Sequence, residues 1–167
     1  MKKVIGLFVA ILACSTVQSE NYYAASVTKF DADGGGTSID LTGITGTYGT
    51  DLSDSMSGEL RFGLGIDDDT SNYNDGSFIE NEVNHYFGAY LKFSSSSVDI
   101  SPYAVLGITK LKATTYDSYW DETYKVSEDD FSYGLGVDFA NGFNIEYMQY
   151  LDKGGAELNG LSLGMKF

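Results

Sequence analysis

The clearest alternation in the chain lies at its end. Residues 158–167 read L-N-G-L-S-L-G-M-K-F, with Leu161, Leu163, Met165 and Phe167 in one phase and Gly160, Ser162, Gly164 and Lys166 in the other. A period of two belongs to a strand with one apolar and one polar face. The pattern recurs upstream. Residues 59–66 set Leu60, Phe62, Leu64 and Ile66 against Glu59, Arg61, Gly63 and Gly65. Residues 83–93 set His85, Phe87, Ala89, Leu91 and Phe93 against Asn84, Tyr86, Gly88, Tyr90 and Lys92. Residues 130–140 set Phe131, Tyr133, Leu135, Val137 and Phe139 against Ser132, Gly134, Gly136 and Asp138. Residues 99–111 alternate weakly: Ala104, Leu106 and Ile108 form the expected outward set, although Tyr103, Val105 and Leu111 are nearly as apolar. Strands over 21–30, 38–52 and 143–151 complete a set of eight. Within the second, Ile39 and Leu41 hold one phase while Ile44, Tyr48 and Leu52 hold the other, a switch that predicts a β-bulge at Gly43.

The connections fall into two classes. Those at 53–57, 94–97 and Asn141-Gly142 are short, and the last reads as a two-residue hairpin turn, because both residues accept positive φ. Those at 31–37, 67–82, 112–129 and 152–157 are longer, polar and mostly acidic, and read as loops. Short turns on one side and long segments on the other describe a transmembrane barrel with both chain ends in the periplasm. Phe93, Phe139, Phe143 and Phe167 then share one rim, as an interfacial aromatic girdle requires. The expected fold is all-β: an eight-stranded antiparallel up-and-down transmembrane β-barrel.

The chain begins Met1-Lys2-Lys3, continues apolar from Val4 to Ala13 and then turns small and polar. These are the parts of a secretory signal peptide, and the run is shorter than the ~20 residues a membrane helix needs. We expect a leader over 1–19, cleaved after Ser19, and a barrel domain over 20–167. The stretch Ile11-Leu12-Ala13-Cys14 also resembles a lipoprotein box, with Leu12 a poor fit. Cys14 is the sole cysteine, so ordinary cleavage leaves no disulfide and no cysteine-based metal site. The remaining length gives eight staves roughly 18 residues each, enough for a tilted membrane strand of ~9–11 residues and its connection. With 20 Gly, 13 Tyr and 10 Phe against one Pro, the composition favours sheet. The net charge is −14 and falls to −16 once Lys2 and Lys3 leave with the leader. Nucleic acid is thereby excluded as a partner.

The whole mature chain resembles the small outer-membrane barrels, the OmpA transmembrane domain and the OmpX/Ail and opacity-type proteins. The likeness rests on the leader, on D-L-S-D-S-M-S-G-E-L-R-F-G-L-G-I (residues 51–66), on S-P-Y-A-V-L-G (101–107) and on the terminal L-S-L-G-M-K-F. It implies an outer-membrane location in a Gram-negative cell. It also implies that Leu161, Leu163, Met165 and Phe167 form the signal read by the barrel-assembly machinery, with Ser162 standing where that signal often has glycine. No peptidoglycan-binding domain follows within the sequence, so wall tethering is not implied.

Six charged residues take the inward phase: Glu59, Arg61, Lys92, Asp138, Glu146 and Lys166. An eight-stranded barrel is narrow enough for side chains to fill, and charges withdrawn from water must be paired. A structural salt-bridge network plugging the lumen is expected, with a gated ion path as the alternative. His85, the lone histidine, takes the lipid-facing phase beside Phe87, and no His-x-Ser-Asn stretch of the lipid A deacylase kind is present. No catalytic residue is singled out. Asp67, Asp68 and Asp69 do not fit a calcium-loop frame, since Ser71 and Tyr73 fall where ligands belong; weak divalent bridging to lipopolysaccharide phosphates is their metal role, if any. Tyr116, Tyr119, Trp120 and Tyr124 alternate with acids and suit a surface contact. The expected function is structural or surface-interacting (adhesion or membrane integrity), without catalysis or cofactor. Expected partners are outer-membrane lipid and lipopolysaccharide, the assembly machinery during biogenesis, and host or environmental surface ligands, with the chain a monomer. The alternatives are a narrow porin-like pore, a lipid-modifying enzyme and a soluble lipocalin-like barrel.

Overall fold

A computed structural model describes residues 20–34, 37–73, 75–95 and 99–167. The expected leader, with Cys14 inside it, lies outside the described residues. The strands are β1 (Asn21–Gly34), β2 (Thr37–Ser53), β3 (Met56–Gly65), β4 (Asp68–Asn72), β5 (Phe78–Ser94), β6 (Ile100–Asp117), β7 (Glu122–Phe139), β8 (Phe143–Lys153) and β9 (Ala156–Lys166). They make eight staves. Each is antiparallel to its neighbours in the order β1-β2-β3-β5-β6-β7-β8-β9, and β9 returns to β1 from Ala24↔Lys166 to Gly34↔Ala156. Phe167 N donates to Tyr23 O at 2.7 Å below the last ladder pair. β4 extends the β3 stave past a break at residues 66–67, which is tied to β2: Ile66 N donates to Thr42 O at 2.9 Å, and Thr42 N donates to Asp67 Oδ1.

The long polar connections are strand rather than loop. β1 and β2 stay paired out to Gly34↔Thr37, β6 and β7 out to Asp117↔Glu122, and β4 pairs with β5 as a hairpin from Asp68↔Glu82 to Asn72↔Phe78. Backbone pairing does not require lipid. Above the membrane neither strand face is held in hydrocarbon, so alternation disappears while the ladder continues.

No bulge occurs at Gly43, because β1 and β2 hold one register from Asn21↔Thr50 to Gly34↔Thr37. The apparent phase switch is a change of environment at constant phase. Ile44 and Tyr48 face lipid, and higher up Ile39 and Leu41 face the interior while Asp40 is exposed. Register shifts occur instead at Asp51/Ser53, Val83/His85 and Gln149/Leu151. The Asn141 turn also differs. Gly142 N donates to Phe139 O at 2.9 Å and Gly142 alone has positive φ (84°), giving a three-residue connection. A tight two-residue turn with left-handed residues occurs instead at Gly154-Gly155, with φ of 65° and 84° between the paired Lys153 and Ala156.

The outer wall carries the expected apolar belt, including Val27, Phe62, Leu64, Leu106, Leu135 and Leu163. Its periplasmic edge holds Phe93 and Phe167, with the Phe139 and Phe143 rings 6.0 Å apart. The outward set on β6 is Ala104, Leu106 and Ile108, since Tyr103, Val105 and Leu111 are buried inside. The interior is not uniformly polar. Its outer half is an apolar and aromatic cluster containing Phe30, Leu41, Val83, Tyr86, Tyr150 and Leu158.

Candidate functional site

Inward positions on β3 and β8 bring Glu59, Arg61 and Glu146 together. Arg61 Nε and Nη2 donate to Glu59 Oε2 at 2.8 and 2.6 Å, while Nη1 and Nη2 donate to Glu146 Oε1 and Oε2 at 2.5 and 2.9 Å. All three side chains are buried. Tyr22 donates to Glu59 Oε1 at 2.5 Å, and the Tyr90 ring lies 4.8 Å under the guanidinium. A second pair joins Lys92 Nζ to Asp138 Oδ2 at 2.6 Å, with the ammonium 3.8 Å over Tyr103. Among the described residues Lys166 does not join a carboxylate. Its ammonium rests 3.8 Å over the Tyr22 ring at the periplasmic mouth, because the last inward position of β9 has already left the enclosed section.

Hydroxyls continue this network across the barrel. Tyr90 bonds Thr109 at 2.6 Å, Thr109 bonds Ser132 at 2.6 Å, and Ser132 donates to Tyr150 O at 3.0 Å. Among the described residues, every buried side-chain polar atom has a hydrogen-bond partner. The void beside the triad is about 30 Å³, room for a water or two. Below it a polar vestibule of about 520 Å³ faces the periplasm, lined by Tyr22, Asp51, Ser57, Lys92, Asp138 and Lys166 among others.

Above the charges the Phe30, Tyr86 and Tyr150 rings meet with centroids 5.2–5.9 Å apart. Wall glycines make room for the rings. A Cβ at Gly63 would overlap Tyr86, one at Gly49 would overlap Tyr22, and one at Gly136 would overlap Tyr103. Phase alone places Tyr86 and Tyr90 inward, but sequence reasoning missed that the interior tyrosines pack over wall glycines. The signal available was an inward Tyr facing an inward Gly on the next strand, which becomes visible only once the register is known.

On the outer side β6 and β7 run well past the belt. Ser118 to Asp121 turn the hairpin, with Asp121 in the left-handed region at φ 53° and Tyr119 N donating to Asp117 Oδ1 at 2.9 Å. Tyr119 and Trp120 pack edge to face at 4.9 Å, and each is about two-thirds exposed. Tyr116 and Tyr124 lie just below the turn. Hydrogen bonds to Asp121 and Glu122 respectively hold both phenols above their ordinary pKa. The hairpin is braced against the β4–β5 hairpin, since Ser118 N donates to Phe78 O at 3.0 Å and Phe78 N to Ser118 Oγ at 2.6 Å.

Asp67, Asp68 and Asp69 do not converge. Asp67 caps the stave break, while Asp68 and Asp69 are consecutive strand residues and project to opposite faces. Among the described residues no cluster of three or more potential metal ligands occurs. His85 faces outward, 6.4 Å from Phe62, and among the described residues its side chain has no hydrogen-bond partner. Leu161, Leu163, Met165 and Phe167 all lie on the lipid-facing side of the closing stave.

Residues 6–166 match the model of the outer membrane protein beta-barrel domain family. No curated protein matches the chain in sequence. Neisserial surface protein A is similar in structure, with a TM-score of 0.70 and 12% identity, covering 90% of this chain and 98% of that one. Ail, the attachment invasion locus protein of Yersinia pestis, in complex with the heparin analogue sucrose octasulfate, gives 0.62 and 16%, covering 90% and 100%. The outer membrane enzyme PagL gives 0.53 and 15%, covering 86% and 98%. At these identities the likeness establishes a shared fold, that of small outer-membrane barrels.

Proposed function

Because the chain belongs to the outer membrane protein β-barrel domain family and so resides in the outer membrane, we propose that it is a non-catalytic surface-contact protein whose contact organ is the β6–β7 hairpin. The observation that carries this reading is the aromatic tip. Tyr119 and Trp120 are solvent-exposed on a braced hairpin, with Tyr116 and Tyr124 beneath them. Large aromatic side chains held in place in the free protein lose little entropy on binding and supply most of the energy at interface centres. The fold shared with an attachment protein and with a neisserial surface protein supports the same role. A polysulfated ligand of the kind bound by Ail is not carried over to this tip, because Asp117, Asp121 and Glu122 surround its rings. The partner surface is neutral or cationic.

The test compares adhesion of cells displaying the wild type or Tyr119→Ala/Trp120→Ala to surfaces coated with matrix proteins or neutral glycans. Truncating hot-spot aromatics costs about 2 kcal/mol or more, roughly thirtyfold in affinity. Equal adhesion by the two, with the variant folded by its gel shift on heating, overturns the proposal. The lipid-modifying alternative draws on the PagL fold, but here the lone histidine faces Phe62 with no hydroxyl or carboxylate partner among the described residues. Altered acyl chains after incubating purified protein with lipopolysaccharide would reinstate it.

A further inference from the structure

Ten cationic side chains occur in the sequence, and eight remain once Lys2 and Lys3 are set aside with the leader. Five of the eight have partners: Arg61 with Glu59 and Glu146, Lys92 with Asp138, Lys29 with Asp40, Lys153 with Glu128, and Lys166 with the Tyr22 ring. The other three, Lys110, Lys112 and Lys125, are exposed and have no ion-pair partner among the described residues. All three fall on the outer wall of one hairpin. Lys110 and Lys112 occupy successive outward positions of β6, directly above Ile108, since Thr109 and Leu111 point inward. Lys125 lies across from Thr114, one outward step beyond Lys112. At ~3.3 Å per residue this climb spans about 13 Å along a tilted strand, starting at the top of the belt. Headgroups occupy the ~5–8 Å beyond the hydrocarbon, and the tilted climb rises about 10 Å, so Lys110 and Lys112 lie at headgroup depth and Lys125 just above it.

We propose that this lysine ladder is a binding site for the phosphate of an outer-leaflet phosphorylated glycolipid, whose acyl chains lie on Phe87, Ile108 and Phe131 beneath it. The register places those apolar side chains around the foot of the ladder: Lys110 faces Phe87 on β5, and Ile108 faces Phe131 on β7. An ammonium above and hydrocarbon below fit an amphipathic anion, and a soluble anion would use only half of the surface. On β7, Asp129 stands opposite Lys110 but is shared with Lys153 on the far side, whose pKa it raises together with the dominant Glu128 hydrogen bond. On β5, Glu82 stands opposite Thr114 and His85 opposite Lys112. Three ammonium groups against two carboxylates leave the site positive on a chain of net charge −14. That three lysines stay unpaired amid so many acids is what assigns them an external anion.

The test titrates lipid A, and lipid A stripped of its phosphates, into nanodiscs of zwitterionic phospholipid holding the refolded mature protein, with bound lipid counted by native mass spectrometry. The wild type is expected to prefer the phosphorylated form at least tenfold. K110Q/K112Q/K125Q should erase that preference, at about fivefold per lysine, the equivalent of ~1 kcal/mol for a cation near an anionic lipid surface. K29Q, which removes a lysine partnered with Asp40 away from the site, should keep it. Equal binding of the two lipids by the wild type overturns the proposal without any variant, as does an undiminished preference in the triple variant. Displacement of the lipid by millimolar inorganic phosphate would overturn the lipid assignment in favour of a free anion.

Discussion

Arg61 is the one arginine of the chain, and its geometry explains why a lysine does not serve there. Its planar fork reaches Glu59 from Nε and Nη2 while presenting Nη1 and Nη2 to Glu146, so one side chain binds two carboxylates from opposite walls. A buried ion network contributes little net stability compared with a well-packed apolar core, yet removing one member leaves uncompensated charge behind. Arg61→Ala is therefore expected to lower stability by about 3–5 kcal/mol, and Arg61→Lys by less. The check is the temperature at which the detergent-solubilised barrel loses its compact gel band. An unshifted transition in Arg61→Ala would show that the triad is not holding the staves together. The neighbouring tyrosines act sterically as well as by hydrogen bonding, because each lies over a wall glycine whose missing side chain provides its space.

Among the elements, the β8–β9 hairpin is fixed by its turn. Gly154 and Gly155 both adopt left-handed φ, which matches the twist of the strands they join. A β-branched residue there costs about 1–2 kcal/mol, so Gly155→Val should slow refolding into detergent micelles and lower stability by that amount, whereas Gly154→Asn should leave both nearly unchanged. Equal refolding rates for the wild type and Gly155→Val would contradict this. The same hairpin shows what the sequence reveals and what it conceals. Leu161, Leu163 and Met165 announce the closing strand because lipid on one side and packed interior on the other impose a period of two. Residues 112–129 look like a loop because neither face of the ladder there is held in hydrocarbon, and hydrogen-bonded backbone leaves no trace in side-chain polarity. Gly43 misled for a related reason, since a strand that passes from lipid into water keeps its phase while its apolar residues change sides. The inward charges were legible one by one from their phase. Their pairing was not, because Arg61 and Glu146 lie on β3 and β8, and only closure of the barrel brings these together.

At the scale of the molecule the lumen is closed twice, by different chemistry at different heights. In the periplasmic half Arg61 bridges Glu59 and Glu146, and in the outer half Phe30, Tyr86 and Tyr150 fill the bore. The first closure opposes an ion because its charges are already matched, and the second because it offers no ligand to replace hydration. Closures in series must both open for current to flow. Glu59→Gln/Arg61→Gln/Glu146→Gln, which deletes the charges while keeping near-native volume, is accordingly expected to stay as silent as the wild type in planar-bilayer recordings. Adding Tyr86→Ala and Tyr150→Ala to that variant removes the second closure and should produce discrete conductance steps. Steps in the wild type would make the chain a pore, and steps in the charge-deleted variant alone would reduce the aromatic cluster to packing.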